Sequence, residues 1–299
     1  MSTGSSDLPE AAQRRLGEGA FSSGLSVADF AACLEMGLDP VGLVQGFCAM
    51  QWSAYGGLMR RGMTPYAGGH GGGYVENYQC PHGMVGGEHR MWGQNYEQTW
   101  IESSWNEGFS SAYSRMLEEA SALGAHGVVG VVDRQSSLSE AGVIEFHLTG
   151  TAVTLKDAPA PTTAPWTTYL AGQRLAKLFE AGFAPVSVIA SVSSVRVWAY
   201  CVTEYLMGGG AASMWGNQYQ TPMEIEQIVR AQSFARSIAR KNAHDQLQGD
   251  SLHGADLQVI EREFEQGDVE IQTMLRGNRV RRFKEFEALP VPQPTVRLS

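Results

Sequence analysis

"MWGQNYEQTWIE" (Met91–Glu102) and "MWGNQYQTPMEIE" (Met214–Glu226) are two versions of one unusual string. In each, Met-Trp-Gly is followed by two amides and a Tyr. Trp occurs seven times and Met twelve times in 299 residues, so chance repetition is a poor explanation. The recurrence points to an internal duplication, which decides how the rest of the chain is read.

Landmarks around the string repeat in the same order. "CLEMGLDPVGLVQGFCAMQWSAY" from Cys33 corresponds to "LFEAGFAPVSVIASVSSVRVWAY" from Leu178. Gly37 and Pro40 match Gly182 and Pro185 at a shift of 145, and Trp52 and Tyr55 match Trp198 and Tyr200 with small slips. Farther on, His126, Gly127, Gly150 and Val153 align with His253, Gly254, Gly277 and Val280 at a shift of 127.

Each unit reads as the same succession. A short amphipathic helix ("SVADFAACLEMG"; "YLAGQRLAKLFEAG") is stopped by Gly37 or Gly182. A Pro then opens a β-branched, apolar strand, where a missing N–H is tolerated. In "PVGLVQGFCAM" the apolar residues are neighbours rather than alternates, which predicts a strand covered on both faces. After a Gly-rich loop comes a long helix. Thr99-x-x-Glu102 and Thr221-x-x-Glu224 have capping-box spacing. Ile101, Trp105, Phe109, Ala112, Met116, Ala120 and Leu123 make one apolar stripe. Gly127 and Gly254 are placed just past this helix, and two strands close each unit. In the second, Val269, Ile271, Thr273 and Leu275 alternate after a turn at Gln266-Gly267. The Met-Trp-Gly string becomes the entry loop of the long helix. Trp92 and Trp215 either seat that loop on the helix or a neighbouring subunit, or form an aromatic binding platform.

Composition narrows the function classes. Hydrophobic residues at 43% and charged residues at 18% suit a soluble globular protein with a real core. A net charge of -9 argues against general nucleic-acid binding and against docking on anionic lipid. The basic run "RGNRVRRF" (276–283) reads as one face of a strand. No apolar h-region opens the chain, and no apolar stretch is long enough to span a membrane, so a cytoplasmic location is expected. Cys33, Cys48, Cys80 and Cys201 are too scattered for a disulfide framework and are expected as free thiols.

"LEEASALGAHGVVGVV" with "FHLTGTAV" (within Leu117–Val153) resembles the signature of the YbjQ-like family, whose members carry a heavy-metal-binding label. The pattern is a long helix ending Leu-Gly-Ala-(Asp/Asn), a Val-Val-Gly-Val strand, and a strand ending Gly-Thr-Ala-Val. The match covers nearly all of the first unit. The second unit is reached through the repeat, with "ADLQ" for "VVGV" and "GNRV" for "GTAV". The resemblance implies an α+β fold of two tandem YbjQ-like (dodecin-like) units, each a long helix packed on a small antiparallel sheet with a short preceding helix. It implies ring-like homo-oligomers, commonly pentamers, and no known reaction. The expected layout is a disordered N-terminal tail (1–24), domain 1 (25–157), a Pro-rich linker (158–168), a divergent domain 2 (169–285) and a C-terminal tail (286–299). His126, and His253 in the repeat, stand where the family has Asp or Asn. They are read as capping residues at positive φ, with a paired metal or pH-sensing role as the alternative.

Candidate chemistry concentrates in the first Gly-rich loop. His70, Cys80, His82 and His89, with Glu88 nearby, offer imidazole and thiolate to a divalent metal such as Zn²⁺. Cys-x-His is not a zinc-finger spacing, and the second unit's loop has no His. No nucleophile elbow and no phosphate loop occur. Glu145 and His147 alternate with Ile144, Phe146 and Leu148 and are expected on the outer strand face. The leading reading is a non-enzymatic, self-assembling protein. Metal binding through the His/Cys loop and small-molecule binding are the alternatives, and no cofactor other than a metal is suggested.

Overall fold

The computed structural model describes residues 21–51, 90–138, 143–201, 226–263 and 269–284. In chain order the elements are α1 (Val27–Glu35), β1 (Leu38–Gln51), β2 (Arg90–Glu97), α2 (Thr99–Ala122), β3 (Gly127–Leu138), β4 (Val143–Leu155), β5 (Trp166–Thr167), α3 (Gly172–Glu180), β6 (Phe183–Cys201), α4 (Glu226–Leu247), β7 (Ser251–Glu263) and β8 (Val269–Arg282). They form two four-stranded sheets, ordered β1-β4-β3-β5 and β2-β6-β8-β7. The fold is α+β, and short helix, strand, long helix and hairpin recur in the same order in both halves.

Local chemistry explains the repeated elements. Ser26 caps α1 by accepting from Asp29 N at 3.1 Å. Gly37 (φ +72°) and Gly182 (φ +76°) end α1 and α3 in the left-handed region, as their placement predicts. Pro40 and Pro185 each sit at a register shift, against β4 and β8 respectively, where a residue without an N–H is least costly.

The long helices lie unusually close to their sheets. A Cβ on Gly46 would come 1.8 Å from the carbonyl oxygen of Ala112, so α2 rests directly on β1. At a shift of 145 stands Ser191, whose hydroxyl donates to Ala239 O at 2.9 Å, and Ser193 donates to Ala235 O at 2.7 Å. The helix faces match at a shift of 123, the offset that relates Met91 to Met214. Gly108, Ala112, Met116 and Ala120 are buried in α2, and Ala231, Ala235, Ala239 and Ala243 in α4. The expected apolar stripe holds, with Phe109 and Leu123 only partly buried.

Four sequence expectations need correction. The string at Met91 is not a loop: β2 pairs antiparallel with β6, from Arg90↔Cys201 to Glu97↔Val195. A strand from the first half therefore completes the second half's sheet. The capping box at Thr99 does not form. Gln98 is the N-cap without a side-chain cap bond, and the Glu102 carboxylate reaches the second unit instead.

The third correction is the alignment of His126 with His253. Gly130 (φ +61°) and Gly254 (φ +63°) occupy the same β-bulge, where β3 and β7 slip against β4 and β8. This sets β3 against β7 at a shift of 124, so His253 corresponds to Val129, and Asp250 to His126. Gly124 (φ +66°), not Gly127, follows the end of α2, and Gln248 (φ +50°) is its counterpart. His126 itself is not among the positive-φ residues. Its Nδ1 accepts from Leu155 N at 3.2 Å and its Nε2 lies 2.9 Å from Pro159 O, so it fastens the chain leaving β4. Asp250 does the corresponding work through Arg279 Nε (2.6 Å) and Arg281 Nε (3.0 Å).

The fourth is β1. Val44, Gly46 and Cys48 face α2 and are buried, whereas Gln45, Phe47 and Ala49 face outward and are exposed. The strand covered on both faces is β6. Ile189, Val195 and Val197 pack with α4, while Val188, Ala190 and Val192 join the core built on α2, β1 and β4.

Residues 21–24, read with the N-terminal tail, pack on the first sheet: Gly24 N donates to Thr151 Oγ1 at 3.1 Å, and Phe21 meets the Phe30 ring edge-on at 5.9 Å. The turn at Gln266-Gly267 and the cap at Thr221 lie outside the described residues.

Candidate functional site: the junction between the units

The first sheet and α2 meet the β6/β8 face that α4 leaves open, and polar groups from both halves converge there. Gln98 N donates to Ser194 O at 2.7 Å, continuing the β2–β6 pairing into the first turn of α2. Ser194 N donates to Glu102 Oε1 at 3.1 Å. Ser194 Oγ lies 3.0 Å from Gln98 Oε1 and 2.8 Å from Glu270 Oε1, and its single proton serves one acceptor at a time. Burial pushes the Glu102 carboxyl up to about 7; the Ser194 N–H opposes this and the nearby Glu97 charge adds to it. Arg262 Nη1, 3.8 Å from Glu270 Oε2, supplies positive charge at the rim.

A second contact joins β3 to β8. Arg276 Nε approaches Asp133 Oδ2 at 2.7 Å as a buried ion pair, without the alignment of a hydrogen bond. Burial raises the Asp133 carboxyl against the pull of Arg276. Beside the pair opens a pocket of about 260 Å³ lined by Val131, Val132, Asp133, Tyr169, Asp256 and Arg276. The Tyr169 hydroxyl is buried and reaches no partner among the described residues. Asp133 and Arg276 offset each other, Asp256 adds a carboxylate, and more of the lining is apolar than polar.

The Pro-rich stretch ends as part of this junction. Trp166 and Thr167 pair in parallel with Gly127 and Val128. Thr167 Oγ1 accepts from Val188 N at 2.8 Å and lies 2.9 Å from Tyr113 Oη. Thr168 Oγ1 donates to Asn278 Oδ1 at 2.8 Å, and Tyr169 N donates to the same oxygen. Both threonines are fully buried.

These contacts hold the two units together. Cys33 is free and buried, and burial with the Asp29 charge pushes its thiol up to about 11; Cys48 is also free and buried. Such thiols pack rather than attack. His70, Cys80, His82, Glu88 and His89 lie outside the described residues, as does Trp215; for Trp92 only the backbone, in β2, is described. Among the described residues no group of three His, Cys, Asp or Glu could hold a metal ion. Glu145 and His147 do lie on the outer face, 3.9 Å apart.

Sequence reasoning read Glu102 as a helix-capping residue and passed over Gln98, Ser194, Glu270 and the Asp133–Arg276 pair. A signal existed for two of them. Glu102 interrupts the apolar stripe beside Ile101, and Asp133 follows "GVVGVV" directly.

The fold and junction define a two-unit α+β protein. Residues 82–156 match the YbjQ-like family, described as "Putative heavy-metal-binding". An encapsulin nanocompartment protein of Mycobacterium tuberculosis is 27% identical over 257 residues, covering 84% of this chain and 82% of that protein. No solved structure matches. No described helix is long and apolar enough to cross a membrane.

Proposed function

We propose that this is a non-enzymatic, self-assembling cytoplasmic protein of two YbjQ-like domains, 25–157 and 169–285, whose copies close into a homo-oligomeric ring. One observation carries the reading: the face of the second sheet turned away from α4 is buried by the first unit, while on the matching outer face of the first sheet Gln45, Phe47, Ala49 and His147 are exposed. The similarity to a nanocompartment protein supports assembly as the purpose. Native mass spectrometry tests it. A defined multiple of 32.4 kDa supports the reading, and a single 32.4 kDa species refutes it.

A second reading rests on the family's description. The His/Cys loop would hold a Zn²⁺-like ion through His70, Cys80, His82 and His89, with affinity falling as the imidazoles protonate. Elemental analysis of the wild type and of a Cys80→Ala/His82→Ala variant tests it: equal metal content in the two removes the idea.

A further inference from the structure

We propose that the pocket between β3 and β7 binds a small organic monocation, a primary alkylammonium, whose charged end lies among Asp133, Asp256 and Tyr169 and whose alkyl chain rests on Val131 and Val132. The proposal is independent of self-assembly.

Two β-bulges border this pocket. β3 slips against β4 between Val129 and Val132, at Gly130 (φ +61°), and β7 slips against β8 between His253 and Asp256, at Gly254 (φ +63°). A bulge interrupts the ladder and re-aims the side chains beside it. Val131, Val132 and Asp133 come from the first slip, Gly254 and Asp256 from the second, and Tyr169 and Arg276 complete a cavity of about 260 Å³.

The charges around the cavity do not balance. Arg276 is the register partner of Asp256 across β7 and β8, and its Nε also lies 2.7 Å from Asp133 Oδ2. One guanidinium thus stands beside two carboxylates. Gln258 Nε2, which donates to Asp256 Oδ2 at 3.0 Å, brings no charge. Hydrogen bonding is incomplete as well. Asp133 Oδ2, Arg276 Nε and the Tyr169 hydroxyl are all buried without a hydrogen-bond partner among the described residues. Three such atoms around one pocket depart sharply from the near-complete pairing of protein interiors. Burial and the Asp133 charge push the Tyr169 phenol up, so it stays neutral.

That combination selects the ligand. An ammonium carries three N–H donors and no acceptor, and it finds acceptors in the two carboxylates and the phenol oxygen. An anion would face the excess negative charge, and a neutral molecule would leave it uncompensated. A divalent metal ion is disfavoured by the adjacent guanidinium, and among the described residues no group of three His, Cys, Asp or Glu could hold one. More of the lining is apolar than polar, which suits an alkyl tail. Butylammonium, at roughly 30 Å³ per heavy atom, needs about 150 Å³ and fits.

The test follows binding of n-butylammonium to the full-length chain by saturation-transfer NMR at about 0.15 M salt, which screens diffuse attraction to the acidic surface. Butyramide and butyrate, of similar shape, are the neutral and anionic controls. Asp256→Asn removes a carboxylate at an exposed position, and Tyr169→Phe removes a hydroxyl without a partner among the described residues, so both variants should melt with wild type. Butylammonium should bind well above butyramide, and butyrate should not bind. Affinity should fall about tenfold in Asp256→Asn and several-fold in Tyr169→Phe. Absence of butylammonium binding, equal binding of butyramide, or unchanged affinity in Asp256→Asn would overturn the site. Unchanged affinity in a Tyr169→Phe chain that melts as wild type would do the same; if that variant melts early, Asp256→Asn decides.

Discussion

β1 and β6 are the same strand of a duplicated unit in two environments. Both follow a glycine-stopped helix, both slip at a proline, and both carry a long helix on one face. β6 has a second cover and a β2 partner on its edge, whereas β1 ends its sheet and shows Phe47 outward. The edge of β1 is blunted locally: the Phe47 carbonyl accepts from Arg115, and Gln45 N donates to Glu119 Oε2 at 2.8 Å. Matched positions of one duplicated strand thus differ because one copy, β6, is covered within the chain, whereas Phe47 of β1 is exposed.

Substitutions at matched positions sharpen this comparison. The largest effect is expected for Gly46→Ala. Its Cβ meets the α2 backbone at 1.8 Å, so the helix must move, at a cost of ~3–4 kcal/mol in denaturant unfolding. Arg276→Ala comes next. It strands the Asp133 carboxylate in the junction, and a loss of about 3 kcal/mol is expected. A loss below ~1 kcal/mol would mean that the two units are held together by other groups.

The third test is pH dependence. The folded chain holds the Glu102 proton up to about 7, against an ordinary value of 4.5. The protonated form is the one folding favours. Its contribution is therefore complete below pH 4.5 and is lost as pH rises through about 7. Wild-type stability should fall across that window by on the order of 2 kcal/mol more than that of Glu102→Gln. Parallel profiles would show that Glu102 ionises without strain. The smallest effect is expected for Ser191→Ala, the counterpart of the glycine substitution. It removes one bond to Ala239 O and should cost about 1 kcal/mol, well below Gly46→Ala.

Much of the fold was legible because it is written locally. The glycines after α1 and α3, the strand-opening prolines, the α2 stripe and the outward Glu145 and His147 all follow from short-range rules. What escaped is non-local. Nothing in "MWGQNYE" says that its partner strand begins about ninety residues later, and its amides and glycine read naturally as a loop. Glu102 has capping-box spacing, yet a buried amide of the other unit, Ser194 N, outcompetes the helix end for its carboxylate. The His126–His253 equation failed because it matched Gly254 to Gly127, whereas the glycine at the same bulge is Gly130, three residues on. β1 and β6 look equally apolar in sequence, and only the packing of one unit on the other separates them.

Light scattering of the wild-type protein across micromolar concentrations tests the central claim most directly. A closed ring predicts a mass that is a fixed multiple of 32.4 kDa and stops growing as concentration rises. A constant 32.4 kDa would contradict the account. So would a mass that climbs without limit, since an open chain of contacts would then replace the ring.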